Sequence, residues 1–338
     1  MNATLQCFCH IEKLINFFKY DNQANTLFSN DINKLSWSFK LLMEQLWPDN
    51  YGDPNLKNYY EPYNFKEKIS TMNPLFKGVA ANDAKDLVNF IIMTLHEELN
   101  KGNKNVNDNN NFFIDQRNQQ LMFNNFTKNF FDTNKSIISQ LIYAINCNLT
   151  QCGGCGAQTF NYQTYFFLVF PLEEVRKNRC NNIYQFNNFN YNIVDIYECF
   201  EYDKKINIMS GANAMYCNYC KQTCQSSMCT VLTTGPQILI LLLNRGKGIE
   251  FDVKINFYEK LNLFNYIQMN NTGFNYQLIG VITHIGESGM GGHFIAYCRD
   301  PISFFWYKYN DSIVTPVNNF QSEVINFAMP YLLFYQKM

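Results

Sequence analysis

Two pairs of cysteines constrain the fold of this chain more than any other feature of its sequence. Cys152 and Cys155 form the motif C-G-G-C, and Cys217 and Cys220 form C-N-Y-C. The two-residue gap within each pair lets both thiolates bind one tetrahedral metal ion. The glycines inside the first pair permit the tight turn that such a motif needs. We therefore predict a structural zinc site with four thiolate ligands.

The distance between the two pairs indicates how this site is built. Because 61 residues separate Cys155 from Cys217, the spacing is longer than that of a compact zinc ribbon. The ligands must then lie at the end of a long ribbon of strands that carries an insertion. Cys147, Cys224 and Cys229 are close in sequence but lack the paired spacing. The alternative to a zinc site is that the paired cysteines are buried free thiols.

The hydrophobic pattern changes along the chain. Apolar residues at spacings of three and four predict a single helix face over residues 2–20 and further helices over 36–47 and 84–100, with Asp83 near the N-cap of the last. From about residue 160 the period shifts toward two, and β-branched and aromatic residues predict strands. The run 238–243 is apolar on both faces, so we expect it in the middle of a covered sheet. The pattern predicts an α+β fold with a mostly antiparallel sheet.

Two segments interrupt this pattern. Residues 100–111 are rich in Asn and have little to bury, which favours a solvated loop. Residues 174–192, with Asn and basic residues, are interpreted as a surface insertion.

Composition excludes several classes of function. The 338 residues carry a formal net charge of -1 and show no basic stripe, which argues against a nucleic-acid partner. The longest aliphatic run, 238–243, is far too short to span a membrane, so we expect no membrane partner. The first residues lack the pattern of a secretory signal, and the twelve cysteines are then expected to be thiols and metal ligands. We expect an intracellular protein, in the cytoplasm, the nucleus or both.

His293 is the candidate catalytic residue. If 292–299 and 305–311 pair as a hairpin, opposed residue numbers sum to about 604, and His293 faces Asn310 or Asp311. A carboxamide or carboxylate on one imidazole nitrogen fixes the tautomer and leaves the other nitrogen as a base. Gly291 and Gly292, with Gly289 before them, would let a substrate backbone approach closely. This combination fits nucleophilic acyl transfer, and the alternative is a histidine that merely packs in the core.

No residue of the chain is a convincing nucleophile. Cys298 follows His293 by five positions on the same strand, so it lies on the opposite sheet face. Cys7 and Cys9 lie within the first predicted helix, where they do not gain the effect of its N-terminus. A GxSxG motif, which would offer a serine instead, is absent from the sequence.

A family resemblance supplies the missing context. The segments MNATLQCF, FKGVAANDAKDLVNFIIMTLHEEL, the two CxxC pairs, GPQILILLLNR, GMGGHFIAYCRD, WYKYNDSIV and PYLLFYQ stand in the order of the ubiquitin-specific protease (ubiquitin carboxyl-terminal hydrolase) catalytic domain. The chain resembles that family over essentially its whole length. The resemblance implies one domain with a papain-like cysteine peptidase fold: a helical thumb (about 1–145), zinc-bearing β-ribbon fingers (146–235) and an antiparallel β-sheet palm with the His box (236–338).

The same resemblance implies roles for individual residues. His293 would be the base, Asn310 the third member of the triad and Asp311 a supporting residue. The implied reaction is cleavage after the C-terminal glycine of ubiquitin, so the expected partners are ubiquitin and ubiquitinated proteins. The candidate substrate-binding residues are Asp83, which could pair with a basic residue of the ubiquitin tail, and Gly291, Gly292 and Phe294.

The family's nucleophilic cysteine belongs to a C-[YF]-M-N-[SA]-x-x-Q box, and this chain begins at the Met of that box. The cysteine would stand two positions before Met1, so we expect the chain as given to be inactive. The alternative is a catalytically inactive pseudoenzyme that binds ubiquitin. Two further segments depart from the family pattern, with ANDAKDL in place of Q-Q-D-A-x-E-F and LNRG in place of L-K-R-F.

Overall fold

A computed structural model describes residues 1–21, 32–49, 60–78, 82–103, 117–182, 193–246, 252–269, 273–286, 291–326 and 329–338. The α-helices are α1 (Asn2–Cys9), α2 (Glu12–Tyr20), α3 (Leu35–Leu46), α4 (Tyr63–Met72), α5 (Ala84–Leu99), α6 (Gln119–Thr133), α7 (Ile137–Ile142), α8 (Leu172–Asn182) and α9 (Ile196–Asp203). The strands are β1 (Ala144–Cys152), β2 (Gln158–Tyr165), β3 (Leu168–Pro171), β4 (Ile193–Asp195), β5 (Asn207–Met209), β6 (Met215–Cys217), β7 (Gln222–Cys224), β8 (Ser226–Leu232), β9 (Ile238–Asn244), β10 (Lys254–Asn256), β11 (Lys260–Asn262), β12 (Asn275–Ile285), β13 (His293–Arg299), β14 (Trp306–Asn310), β15 (Ile313–Pro316) and β16 (Pro330–Lys337).

An eight-stranded sheet divides two hydrophobic cores. Its order is β15-β14-β13-β12-β16-β9-β3, with β11 added beside β12, and the pairs are antiparallel except β3 with β9. On β9, the even-numbered positions 238–242 pack with helices α1–α5 and α7, and the odd-numbered positions 239–243 pack with α8 and α9. Because all six residues are buried, the prediction that both faces of this strand are covered is confirmed, although β9 is the last strand but one in the sheet rather than in its middle. The sheet is mostly antiparallel, as expected.

The predicted single helix over residues 2–20 is wrong, because the chain breaks between α1 and α2. Ile11 takes an extended conformation and acts as the N-cap of α2. His10 fills the corner: its Nδ1 lies 2.7 Å from the carbonyl oxygen of Gln6, and its Nε2 lies 2.8 Å from the hydroxyl of Tyr309 on β14. The apolar stripe is therefore continuous across both helices, but the backbone turns where His10 meets the sheet.

The long helix after Asp83 agrees with the sequence. Helix α5 begins at Ala84, and the Oδ1 atom of Asp83 accepts the backbone N–H of Lys85 at 2.9 Å. A side-chain acceptor at this position satisfies one of the unpaired amides of the first helical turn. Asp83 is thereby held at the end of α5 nearest to β16.

A separate ribbon carries the cysteine pairs. Its four strands have the order β2-β1-β8-β5, and the small β6–β7 hairpin lies beyond them. Cys152 ends β1 and Cys217 ends β6, so both C-x-x-C motifs occupy turns at the tip. Helix α6 packs on β2 through Phe123 and Phe126, which contact Tyr162. The expected long ribbon of strands is present.

The two predicted surface segments fall largely outside the described residues. Residues 104–111 of the Asn-rich segment and 183–192 of the second insertion belong to the part of the chain that is not described. The beginning of the second segment is the body of α8, where Val175 is buried in the core. It therefore contributes to packing as well as to the surface.

Candidate active site and metal centre

The strand pair β13–β14 brings His293 and Asn310 together. Opposed residues sum to 605, as in Ala296 opposite Tyr309, one more than predicted, so the two side chains are diagonal neighbours. They still meet, with 2.7 Å between His293 Nε2 and Asn310 Oδ1. Because a carboxamide oxygen only accepts, Nε2 carries the hydrogen and donates it. Nδ1 is then the basic nitrogen of the neutral imidazole.

Asp311 connects this pair to the first turn of α1. Its Oδ2 lies 3.6 Å from His293 Nε2, and its Oδ1 accepts a hydrogen bond of 2.8 Å from Asn2 Nδ2. Asp311 itself has a φ of 50°, a left-handed conformation that Asp tolerates better than most residues. Asn2 was not singled out from the sequence, although it is the Asn of the MNATLQ segment. The contact places the start of α1 beside the histidine.

Gly292 occupies a position where a side chain does not fit. Its φ is 152°, and a Cβ there would lie 2.4 Å from Cε1 and Nε2 of His284 and 2.4 Å from the carbonyl oxygen of Ile285. A Cβ on Gly291 would instead meet nothing within 4 Å. The two glycines therefore differ: Gly292 lets the loop lie against β12, and Gly291 faces open space. Gly289 is outside the described residues.

Phe294 and Asp83 join the site through Tyr331 on β16. The ring of Phe294 packs 5.4 Å from that of Tyr331 and edge-to-face on His284 at 5.0 Å. The Tyr331 hydroxyl lies 2.7 and 2.8 Å from the two carboxylate oxygens of Asp83. Burial and the contact with Asp83 raise the pKa of Tyr331, so the hydroxyl stays protonated and donates. Lys85 Nζ is 3.3 Å from Asp83 Oδ2, so the carboxylate already has partners within the chain.

These side chains surround one cleft of about 660 Å³. Of the described catalytic and substrate-binding residues predicted from the sequence, all but Asn310 line it directly, and Asn310 is bonded to His293. Other side chains that line the cleft were not predicted from the sequence: Met1, Asn2, Lys85, Arg245, His284 and Tyr331. For His284 the sequence does contain an indication: it lies near the end of a predicted strand, a few residues before the glycine segment that leads to His293.

Within the described part of the chain, no cysteine lines this cleft. Cys7, Cys9 and Cys298 are buried in the core between α1 and the sheet, and the sulfurs of Cys7 and Cys298 are 3.8 Å apart. Burial raises the pKa of Cys9 and of Cys298, which opposes formation of a nucleophilic thiolate. The position of these thiols agrees with the expectation that none of the three is the nucleophile.

Cys152, Cys155, Cys217 and Cys220 form a cluster in which all four sulfurs lie within 4.8 Å of one another. The pairs Cys155–Cys217 and Cys152–Cys220 are 3.7 and 3.9 Å apart. A tetrahedron with Zn–S bonds of about 2.3 Å has edges of about 3.8 Å, so the geometry suits zinc. Four soft thiolates are also a donor set that zinc prefers. These residues could hold a metal ion.

The backbone of each turn supports the first cysteine of its pair. The N–H groups of Cys155 and Gly154 lower the pKa of Cys152 to about 6, and those of Cys220 and Tyr219 lower the pKa of Cys217. An N–H that points at sulfur stabilises the thiolate, which is the form that binds metal.

The two turns also end alike. The residue after the second cysteine has a left-handed φ, 72° at Gly156 and 57° at Lys221. In each turn this residue donates its N–H to the carbonyl oxygen of the first cysteine, at 2.9 Å in both cases. Cys147 and Cys229 lie on β1 and β8, outside the cluster.

Comparison with solved structures defines the class of fold. The chain superposes over its whole length on Ubp8 in a SAGA DUB module bound to monoubiquitin, with a TM-score of 0.73, 20% identity and 66% of that chain covered. A Ubp8 complex bound to ubiquitin aldehyde gives a TM-score of 0.70 at 19% identity and 67% coverage of that chain. The fold is that of a ubiquitin-specific protease domain: mixed helices and antiparallel sheets with a four-cysteine cluster on a β-ribbon.

The family follows from the sequence comparison. The family model described as ubiquitin carboxyl-terminal hydrolase matches residues 1–335, and the chain belongs to this family. It is 23% identical over 347 residues to ubiquitin carboxyl-terminal hydrolase Usp2 of Drosophila melanogaster and 24% identical over 348 residues to ubiquitin carboxyl-terminal hydrolase 2 of Homo sapiens. These alignments cover 100% and 99% of this chain but 34% and 53% of the relatives, so the chain spans a third to a half of their length. In the described ranges, no helix combines the length and apolar character needed to cross a membrane.

Proposed function

We propose that this protein is a deubiquitinase of the thiol hydrolase type, which cleaves after the C-terminal glycine of ubiquitin. The observation that carries the proposal is the hydrogen bond of 2.7 Å between His293 and Asn310, at a cleft that Met1 and Asn2 also line. In the family box the nucleophilic cysteine stands two positions before the residue that is Met1 here. A thiol supplied ahead of α1 would therefore enter the same cleft as the base.

The side chains would act in a defined order. His293 Nδ1 takes the proton of the thiol, and the thiolate attacks the carbonyl carbon of the terminal glycine. The imidazolium returns the proton to the leaving amine, and water then hydrolyses the thioester with His293 again as base. Asn310 transfers no proton but holds the tautomer, and Asp311 steadies the imidazolium from 3.6 Å. The N-terminus of α1 favours the anionic thiolate.

The cleft would hold the ubiquitin tail. Gly291 has open space beside it, so an extended tail can lie along this backbone, with Phe294 at its edge. Asp83 would bind a basic residue of the tail, and that residue would then compete with Lys85 for the carboxylate. The complexes of Ubp8 with monoubiquitin and ubiquitin aldehyde support ubiquitin as the partner.

The remaining parts of the molecule complete the proposal. We assign residues of about 1–145 to the thumb, 146–235 to the fingers and 236–338 to the palm of a single domain, with zinc as a structural ion at the four-cysteine cluster. Zinc binding contributes folding free energy directly, so the metal would join the two turns of the fingers and take no part in the chemistry. The thiol state of the described cysteines supports an intracellular location.

Hydrolysis of a fluorogenic amide at the C-terminus of ubiquitin tests the activity. The 338-residue chain should give only background hydrolysis, because a base and its orienter do not form an acyl-enzyme without a thiol. A chain extended so that a cysteine stands two positions before Met1 should turn over. In that chain, His293→Ala should lower kcat by at least about 10²-fold, the usual contribution of a general base. Asn310→Ala should cost less.

Two results would overturn the proposal. Clear turnover by residues 1–338 alone would transfer the nucleophile to a thiol inside the chain. An extended chain that contains the cysteine and binds ubiquitin without cleaving it would instead establish the pseudoenzyme alternative. A ubiquitin-binding measurement on both chains separates these outcomes from a failure to fold.

A further inference from the structure

A fifth cysteine lies against the metal-binding cluster. Cys224 ends β7, four residues after Cys220, and so belongs to the same small hairpin as the second cysteine pair. Its sulfur is 3.9 Å from that of Cys220, the same distance that separates Cys220 from Cys152 within the cluster. The sulfur of Cys224 is thus as close to Cys220 as Cys220 is to Cys152, although Cys224 is outside the set of four sulfurs that all lie within 4.8 Å of one another.

The first cysteine pair also approaches Cys224. A Cβ built on Gly154 would lie 2.7 Å from the sulfur of Cys224 and 3.7 Å from that of Cys152. Any side chain at position 154 would therefore clash with the Cys224 sulfur. Because Gly154 has no side chain, the sulfur of Cys224 can lie between the turns of the two cysteine pairs, which is where a metal ligand has to be.

The hairpin is able to adjust by the small distance that ligation requires. Strands β6 and β7 have three residues each and form a two-stranded sheet of their own. Cys224 occupies the last pair of this ladder, opposite Met215, and is only half-buried. A two-stranded hairpin of this size has little stability by itself, so rotation about one side-chain bond or a shift of the strand end is inexpensive.

We propose that Cys224 is a reserve metal ligand, which completes a four-thiolate zinc site with Cys152, Cys155 and Cys217 when Cys220 is not available. On binding, the thiol of Cys224 releases its proton and the thiolate donates an electron pair to zinc, so no oxidant or reductant is required. The proposal rests on the zinc assignment made above and is independent of the proposed peptidase activity. Its consequence is that the tip of the ribbon keeps its metal after loss of one ligand.

Single substitutions of the cysteines test the reserve role in the 338-residue chain. Alanine is used because it removes the sulfur and offers no oxygen ligand. The variants are Cys220→Ala, Cys224→Ala and the double variant. Cys155→Ala is the matched control, because Cys155 is the second cysteine of its pair, as Cys220 is, and its sulfur lies 3.7 Å from that of Cys217. The measurements are zinc content, zinc affinity by competition with a chromogenic chelator, and the thiolate-to-metal charge-transfer absorption after loading with Co²⁺.

The expected pattern is asymmetric. Cys220→Ala should retain about one zinc per chain with affinity within about 10-fold of the parent, and its Co²⁺ spectrum should still report four thiolates. Cys155→Ala and the double variant should weaken zinc binding by more than about 100-fold, because the loss of even an outer partner costs about 10- to 100-fold. Cys224→Ala alone should leave zinc affinity and the spectrum unchanged.

Three results would overturn the proposal. The first is that Cys220→Ala binds zinc as weakly as Cys155→Ala, or fails to fold in the presence of zinc. The second is that the double variant binds no more weakly than Cys220→Ala. The third is that the parent chain binds neither zinc nor Co²⁺, which would also remove the zinc assignment. None of these readouts depends on hydrolysis of ubiquitin, so the peptidase proposal is judged separately.

Discussion

Substitution of Gly292 by Ala should disturb the site at the residue next to the proposed base. The new Cβ would lie 2.4 Å from two ring atoms of His284 and 2.4 Å from the carbonyl oxygen of Ile285. The ring can rotate away, but the carbonyl belongs to β12, which pairs with β13 on one side and β16 on the other. The loop must therefore move, and His293 moves with it.

The cost follows from two contributions. A non-glycine residue held at a φ of 152° costs of order 1–3 kcal/mol. Overpacking of one methyl group against fixed neighbours adds about 1–3 kcal/mol. Gly292→Ala should thus lower the free energy of unfolding by about 2–6 kcal/mol, a large part of the 5–15 kcal/mol typical of a domain. If the loop is displaced, some of this strain is relieved, but His293 moves with the loop and kcat should fall.

Gly291→Ala is the matched control, because the same methyl group one residue earlier meets nothing within 4 Å. Its effect on the free energy of unfolding should be below about 1 kcal/mol. If Gly291 lies against the ubiquitin tail, this variant should raise KM and leave kcat unchanged. The assays are urea unfolding of the 338-residue chain and ubiquitin-amide hydrolysis by the extended chain that carries the cysteine.

Equal stability of the two variants would refute this reasoning. It would mean that the close approach of the loop to His284 does not contribute to the folded state. A Gly292→Ala variant that is destabilised but has unchanged kcat would show that the loop and His293 move independently. That result would contradict the link between Gly292 and the base.

Three further predictions concern other parts of the molecule. Lys221 has a left-handed φ of 57°, which disfavours a side chain, so Lys221→Gly should raise the free energy of unfolding of the zinc-loaded chain by up to about 1 kcal/mol, as measured by thermal unfolding. Lys85→Ala should lower KM for ubiquitin up to about 5-fold, because it frees Asp83 of an exposed ion pair worth at most about 1 kcal/mol. An unchanged or raised KM would contradict the proposed role of Asp83. Burial lowers the pKa of His10 to about 4 from the usual 6.5, so only the unfolded chain binds this proton between those values. The contribution of His10 to stability should accordingly be constant above pH 6.5 and fall by about 3 kcal/mol toward pH 4, so a His10→Gln variant should lose less stability over this range than the parent chain.

Some elements could be predicted because their signals are local. Helix α5 has an apolar face of regular period and an N-cap residue in Asp83, and both act within a few residues. Strand β9 is apolar at its first six positions, 238–243, because cores lie on both sides of it. The cysteine pairs carry their ligand geometry in their own spacing. In each case the residues that decide the structure are neighbours in sequence.

Other features depend on contacts that no local pattern contains. The break after α1 is set by His10, whose partner Tyr309 is 299 positions away. The register of β13 with β14 differs by one from the predicted sum because Phe304 takes a φ of 63° and Phe305 remains in the loop. A Phe in a left-handed conformation is unusual, so the sequence favours the shorter loop. Helices α4, α6, α7, α8 and α9 were not predicted from the sequence.

The distance between a thiol ahead of α1 and the base on β13 depends on how α1 is held on the sheet. At its C-terminal end, His10 is buried and bonded to the half-buried Tyr309, so water competes less for this bond. At its N-terminal end, the bond from Asn2 to Asp311 is exposed, and water competes for both partners. The helix is therefore anchored firmly behind the site and loosely beside His293. Under the proposed mechanism, an imidazolium formed at His293 would draw Asp311, which contacts both Asn2 and His293, toward itself and so change the contact that holds the start of α1. Proton transfer to the proposed base and the position of the proposed nucleophile would in this way be coupled through one carboxylate.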